Sequence, residues 1–335
     1  MSVLPPQPSS YIDRVYGLVP LPEQVLIDLI ASAPMQRLKR VSQEGYFHPW
    51  MPGQGISRFE HSLGVMALLQ RYHAPLEEQV AGLLHDVSHS AFSHCIDYIL
   101  ADGNAAEQSH QDRSHAAFVG ASIIPEILAW HDFDTLSILD DRRFPLKEQP
   151  LPDLCADRID YSLREALAYR EITPADAHYF LSHLSVEDSH WVFTDQKTAR
   201  AYAELYRTMN SSYWAGLPTA LMFKTVGDYF RHALQQRYIT YDDLYTTDDD
   251  VLERVATHHS HDPQLRLLFA RMNCKIPYIT TPSPRATRIV NKSRAVDPRV
   301  IHEGMIRPLS ALDPEWRPIL ERESRPKEYF LEFDL

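Results

Sequence analysis

The chain has 335 residues, 44% hydrophobic and 23% charged, which suits one large globular domain or two intimate ones. A net charge of -12 argues against a broad basic footprint, so nucleic acid is not an expected partner; only Arg37, Lys39 and Arg40 form a local basic cluster. Cys95, Cys155 and Cys274 are scattered, which excludes a disulfide framework and a zinc-ribbon spacing.

Residues 1–9, with Pro5, Pro6 and Pro8, read as a flexible tail. They lack the basic start and apolar run of a signal peptide. No stretch of about 18 apolar residues follows anywhere, so no membrane span and a cytoplasmic location are expected. Tyr11 to Leu21 reads as an extended lead-in that turns near Gly17. Pro22 starts a helix carrying Val25, Leu26, Leu29 and Ile30 at helical spacing, and a second helix begins near Pro34. Trp50 to Ser57 is a loop. A helix is predicted from Arg58 to Tyr72, and another from Pro75 to the His85-Asp86 pair, with Glu77 and Glu78 in its first turn. Residues 91–100 continue helical, and Ser114 to Trp130 reads as helix with a kink at Pro125. A short hairpin is expected around Arg142 to Leu146.

The strongest pattern is a helix from about Pro152 to Tyr169. Ile159, Leu163, Ala166 and Leu167 line one side, and Asp157, Asp160/Tyr161 and Arg164 line another. Beyond Pro174 the reading is a short strand at His190–Thr194 and helices at 196–213, 219–237 and 248–271. A strand-like basic stretch follows from Pro277 to Val300, and then a charged surface tail. The expected fold is therefore mainly α, with a helical core over residues 10–175. Residues 176–335 form a mostly helical C-terminal subdomain with a minor β element, which completes the substrate pocket.

Seven histidines fall between positions 61 and 115: His61, His73, His85, His89, His94, His110 and His115. A single histidine on a helical chain is ordinarily packed or solvated. A cluster with an adjacent His-Asp pair at a helix end is a different matter. Imidazole and carboxylate together suit zinc, iron, manganese or nickel, and such an ion makes hydroxide accessible near neutrality and neutralises phosphoryl oxygens.

The ordered set Arg58-Phe-Glu-His61-Ser-Leu-Gly, His85-Asp86-x-x-His89 with His94, and Asp157-Arg-Ile-Asp-Tyr161 resembles the HD-domain metal phosphohydrolases. It is most similar to their deoxynucleoside triphosphate triphosphohydrolase branch. The stretch from Asp13-Arg-Val-Tyr-Gly to Gln43 also resembles that branch. The resemblance implies a divalent metal (Mn, Fe, Ni or Zn, with Mg as a possible second ion) held by His61, His85, Asp86 and Asp157. It implies catalytic roles for Arg58, His89, His94 and His115, with His94 as general acid and His110 as the rival of His115. It implies substrate contacts from Gln43, Arg58, Arg158, Tyr161 and Glu165, with Gln43 and the last two near the sugar. The implied reaction converts a dNTP to a deoxynucleoside and triphosphate, and the implied assembly is a homo-oligomer.

Two departures stand out. Glu44 occupies a position where the related enzymes carry an apolar residue. The segment Thr208–Gly216 lacks the Arg and His that would grip distal phosphates. They keep open a phosphatase acting on nucleoside monophosphates or another small phosphoester. A binding protein on the same fold without turnover is a further alternative, as is a di-iron oxygenase using His89 and His115.

Overall fold

Ser10–Asp13 (β1) and Gly17–Pro20 (β2) pair as an antiparallel hairpin, with Tyr11 opposite Val19. Asp13 Oδ1 accepts the backbone N–H of Val15 and Tyr16 at 2.7 and 3.0 Å, and Gly17 takes a φ of 74°, so the predicted turn is where the extended segment reverses. The protein is described here from a computed structural model covering residues 9–53, 55–100 and 110–333, with side chains for all of these except 110–113.

Two short helices, Gln24–Ala31 (α1) and Ala33–Arg37 (α2), lead to the central helix Arg58–Arg71 (α3). Ser57 caps α3 by accepting the N–H of Glu60 at 3.2 Å. Residues Ser62 to Leu69 are all buried, so α3 has no polar face and forms the middle of the core. It packs against Leu76–Leu84 (α4) and, across its other side, against the helix that carries Asp157. Gly64 permits that second approach: a Cβ there would overlap the side chains of Arg164 and Asp160.

Ile96–Leu100 (α5), His110–Gly120 (α6), Ile124–Trp130 (α7) and Thr135–Ile138 (α8) follow. The helix expected over 114–130 is thus two helices. Pro125 opens the second rather than kinking one, as suits a residue without an N–H in the first turn. The hairpin expected around Arg142 to Leu146 does not form. Asp141–Arg143 is a 3-10 turn capped by Asp140, and the N–H groups of Leu146 and Lys147 go to buried Glu78 Oε1 at 2.7 and 2.9 Å.

The strongly patterned helix is Ala156–Ala168 (α9). It starts four residues later than Pro152, because Cys155 stays extended as its N-cap. Pro174–Ser182 (α10), absent from the sequence expectation, is set by a Thr173/Asp176 capping box with Pro174 in its first turn. The C-terminal half contains Gln196–Met209 (α11), a π-helical turn at Asn210–Trp214, and Leu217–Gln235 (α12). Asp248–Ala256 (α13) and Pro263–Met272 (α14) occupy the span expected to be helix with a His-Ser-His turn; the turn at His259–His261 separates two helices, and Asp262 caps the second one.

Leu184–Glu187 (β3), His190–Phe193 (β4), Arg299–His302 (β7) and Met305–Pro308 (β8) form a sheet in that order. Tyr278–Ile279 (β5) and Thr287–Asn291 (β6) flank Lys327–Phe333 (β9) in a second sheet. The end of the chain is therefore the central strand of a sheet instead of a surface tail, since β9 is hydrogen-bonded to β5 and to β6. Leu309–Leu312 (α15) and Trp316–Glu323 (α16) complete a fold that is mainly helical with a minor β element, as expected. No helix among the described residues is long and apolar enough to cross a membrane.

Candidate active site

His61 is the fully buried fourth residue of α3, His85 and Asp86 follow the end of α4, and Asp157 comes from the first turn of α9. The fold brings these four together. His61 Nε2 lies 3.0 Å from Asp157 Oδ1, 3.2 Å from His85 Nε2 and 3.6 Å from Asp86 Oδ2. His85 Nε2 lies 3.5 Å from both Asp86 Oδ2 and Asp157 Oδ1. Ligand atoms placed about 2.1 Å around one cation stand about 3 to 3.5 Å apart, so the spacing fits a single divalent ion.

The tautomers fit as well. His61 Nδ1 bonds Asp160 Oδ2 at 2.8 Å, and His85 Nδ1 bonds the Gly82 carbonyl at 2.7 Å. Both partners accept, so the protons sit on Nδ1 and the two Nε2 lone pairs converge. Two lone pairs 3.2 Å apart beside two carboxylates repel unless a cation lies among them. Burial disfavours a charged His61, but Asp157 and Asp160 outweigh it and push its pKa up to about 10, which measures how strongly this field attracts positive charge.

Asp160 is itself completely buried. It receives Tyr16 Oη at 2.9 Å, Arg164 Nε at 2.9 Å and Arg164 Nη2 at 2.8 Å. The neighbouring layer is polar too. Arg58 bonds Asp86 Oδ2 at 2.5 Å, Ser93 Oγ at 3.0 Å and the Gln43 carbonyl at 2.9 Å. His89 Nε2 stands 3.2 Å from Asp86 Oδ1, and its ring meets that of His94 edge-on at 5.3 Å. His115 Nδ1 bonds Ser88 Oγ at 2.7 Å. Burial, then the charge of Arg58, pulls His89 down to about 4; burial, then Lys147, does the same to His115. Both rings are therefore neutral near pH 7, able to donate one N–H each.

Arg58, His85, Asp86, His89, His94, His115 and Asp157 line one cavity of about 510 Å³, with His61 fully buried behind them. Gln43, Arg158, Tyr161 and Glu165 line it too, as do Phe47, Tyr169, Tyr213 and Trp214. Arg158 is less available than its position suggests. Its guanidinium bonds Glu148 Oε1 at 3.1 Å, the Gln149 carbonyl at 2.6 Å and Cys155 Sγ at 3.0 Å, so it braces the loop before α9. It also neutralises the Glu148–Cys155–Asp157 group, the other metal-like cluster among the described residues. Tyr161 Oη bonds Tyr206 Oη, and its ring meets Trp214 edge-on at 5.0 Å. The side chain of His110 lies outside the described residues.

The sequence reading named no site role for Trp214, Lys292 or Arg294, which also line the cavity. The basic stretch containing the last two was visible, but nothing in its pattern placed it over α9. Arg294 is fixed through its backbone, whose N–H reaches Asn210 Oδ1 at 2.9 Å. Its guanidinium makes no hydrogen bond or ion pair among the described residues.

A helical core holding a buried His/His/Asp/Asp set beside an arginine and neutral histidines defines a metal-dependent hydrolase of phosphoesters. The HD-domain family model matches residues 58–165, which contain all four donors. The uncharacterized protein YdhJ of Bacillus subtilis is 37% identical over 241 residues, covering 72% of this chain and 73% of that protein. The metal-dependent phosphohydrolase cns2 of Cordyceps militaris is 34% identical over 221 residues, 64% of this chain and 63% of its own length. The Dictyostelium discoideum homolog of deoxynucleoside triphosphate triphosphohydrolase SAMHD1 is 25% identical over 226 residues; this chain spans 44% of it. A hypothetical protein from Aquifex aeolicus shares the fold at a TM-score of 0.73 and 20% identity, over 97% of this chain and 96% of that one. The chain belongs to the HD-domain family of metal-dependent phosphohydrolases.

Proposed function

We propose that the chain hydrolyses the bond between phosphorus and the sugar oxygen of a nucleotide, releasing a nucleoside, and that its substrate is a nucleoside monophosphate. The observation that supports this most directly is the shared cavity: metal donors, Arg58 and three histidines at one part of its wall, aromatic rings and carboxylates at another. A divalent ion held by His61, His85, Asp86 and Asp157 supplies an activated water and a Lewis acid for a phosphoryl oxygen. Arg58, locked on three sides, holds Asp86 in place and presents positive charge to the phosphate. His115 donates an N–H to a phosphoryl oxygen. His89 gives its one N–H to Asp86 Oδ1 and so positions that carboxylate. His94, which burial and Arg58 hold neutral, stands at the cavity as a hydrogen-bond donor to the leaving sugar oxygen. Trp214 and Tyr213 offer ring faces and edges to the base.

The charge on the walls sets the phosphate count. Arg58, Lys147 and Arg158 already pair with Asp86, Asp141 and Glu148. Glu44 and Glu165 add acceptor oxygens rather than cations to the same walls, and burial holds both carboxyls above the ordinary range. A triphosphate would meet more repulsion there than a monophosphate. The dNTP reading is the second one. It is favoured by the likeness to the Dictyostelium protein and by Arg294, with Lys292 beside it, standing where distal phosphates need cations.

The test is product analysis. The purified chain is incubated with Mn2+ and a panel of nucleoside mono- and triphosphates, beside a His85→Ala/Asp86→Ala control. Orthophosphate and nucleoside from monophosphates alone support the first reading. Nucleoside plus intact triphosphate establishes the second, and no turnover of any nucleotide sinks both. Arg294→Ala is expected to raise KM about 10- to 100-fold, the worth of one hydrogen bond to a charged partner, with a smaller change in kcat. Steady-state kinetics check this; an unchanged KM removes Arg294 from phosphate binding.

A further inference from the structure

Two carboxylates in the cavity take no part in the phosphoryl chemistry. Glu165 lies eight residues beyond Asp157 on α9, so the two share a face of the helix about 12 Å apart along its axis. Glu44 lies on the loop after α2 and lines the same cavity. Each is held from behind by an aromatic donor. Trp214 Nε1 donates to Glu165 Oε2 at 2.5 Å, and Tyr169 Oη donates to Glu44 Oε1 at 3.0 Å. Ser42 Oγ reaches Glu44 Oε2 at 3.3 Å. Glu165 Oε1 accepts no hydrogen bond among the described residues, although the residue is only 4% exposed.

Between them in function is Gln43. It is 7% exposed and lines the cavity, yet its Oε1 is buried with no hydrogen-bond donor among the described residues. Burying the Gln43 amide and leaving Glu165 Oε1 without a donor is costly, so the site is built for a ligand that supplies the missing partners. Burial, followed by the charge of Glu44, pushes Glu165 up to about 8.

We propose that this part of the cavity binds a cis-diol, the 2′- and 3′-hydroxyls of a ribose. Glu44 and Glu165 each accept one hydroxyl, and Gln43 serves the remaining lone pairs. The proposal rests on the nucleotide reading above and runs against the deoxyribose that the family resemblance implies. Asp157, Tyr161 and Glu165 follow each other at one-turn intervals, which lays out phosphate, sugar ring and sugar hydroxyls in that order along α9. A 2′-deoxy sugar leaves Glu44 desolvated with one donor missing. Sites built to bond a hydroxyl reject the analogue that lacks it. An apolar side chain at position 44 would accept the deoxy sugar without that loss.

The test measures affinity apart from turnover. Isothermal titration calorimetry is run on the full chain with Mn2+, using four ribonucleosides and their 2′-deoxy counterparts, for the unaltered protein, Glu44→Gln and Glu44→Leu. For the base that binds, the ribonucleoside is expected to bind about 10- to 100-fold tighter. Glu44→Leu is expected to bring the two sugars within about threefold, and Glu44→Gln, which keeps the side chain's shape, to narrow the gap. Equal or tighter binding of the deoxy partner overturns the proposal. So does a preference that survives both substitutions, or no binding by any nucleoside. Products from the nucleotide panel separate the two ideas. Equal turnover of both sugars sinks the diol alone, whereas a ribose preference in binding without any turnover sinks the phosphohydrolase mechanism alone.

Discussion

Asp157→Ala is expected to release the divalent ion and to lower kcat/KM by at least about 10³-fold. The reason is geometric. Asp157 Oδ1 is the donor nearest to His61 Nε2 and stands 3.5 Å from His85 Nε2, so it closes the ligand set from the α9 side. Without it, three donors from α3 and α4 remain, with one carboxylate to balance the ion, and Asp86 is already engaged by Arg58. The loss does not come from misfolding. The Asp157 side chain is 25% exposed, and its side-chain partners are His61 and His85, so truncation removes little packing. Elemental analysis of the purified variant, kinetics and a melting curve check this together. Stoichiometric metal with kcat/KM within tenfold of the unaltered protein would remove Asp157 from the ligand set. Asp160→Asn acts one layer out, through the orientation and basicity of His61, and is expected to weaken metal binding about 10- to 100-fold.

Arg164→Ala is expected to destabilise the fold by about 3 to 5 kcal/mol. Arg164 has no exposed surface, and all three guanidinium nitrogens are committed. They bond Asp160 at 2.8 and 2.9 Å, Asp13 at 2.9 Å and Glu60 at 3.1 Å. Truncation leaves Asp13 and Asp160 buried and without their cation, and opens a void where α9 crosses Gly64 of α3. For a chain of this size the melting temperature should fall by about 5 to 10 °C. Arg164→Lys keeps the charge but not the planar fork, and is expected to recover only part of the loss. Because Asp160 also holds His61 Nδ1, the same variant should bind metal more weakly after refolding controls are met. Calorimetric melting with and without Mn2+ reads both effects. A variant that melts within about 1 °C of the parent would show that this network does not carry stability.

Asp157 and Arg164 sit about two turns apart on α9. Asp157 faces the cavity and Arg164 faces the core, so α9 ties the metal donors to the β1–β2 hairpin through Asp13. The buried charges of Asp160, Asp13 and Arg164 are tolerated inside the core because each meets an opposite one.

Much of this was legible in the sequence because it depends on spacing along one helix. His61 and Arg58 on α3, the His85-Asp86 pair after α4, and Asp157, Tyr161 and Glu165 on α9 are fixed by helical periodicity and by the resemblance those residues carry. The helical core and its order along the chain follow from apolar spacing and from prolines at helix starts. Boundaries were less legible. Cys155 as an N-cap, the Asp140 turn and the capping box at Thr173 are decided by single side chains competing with the backbone for hydrogen bonds. The tertiary structure alone decided which residues meet across distance. It brought Arg294 over the cavity from a strand-like segment more than 130 residues beyond Asp157. It also turned Trp214 onto Glu165 through a π-helical turn, and it spent the charge of Arg158 on Glu148. Periodicity encodes which face of an element is buried. It does not encode which faces are packed together, because that choice depends on the whole core being filled at once.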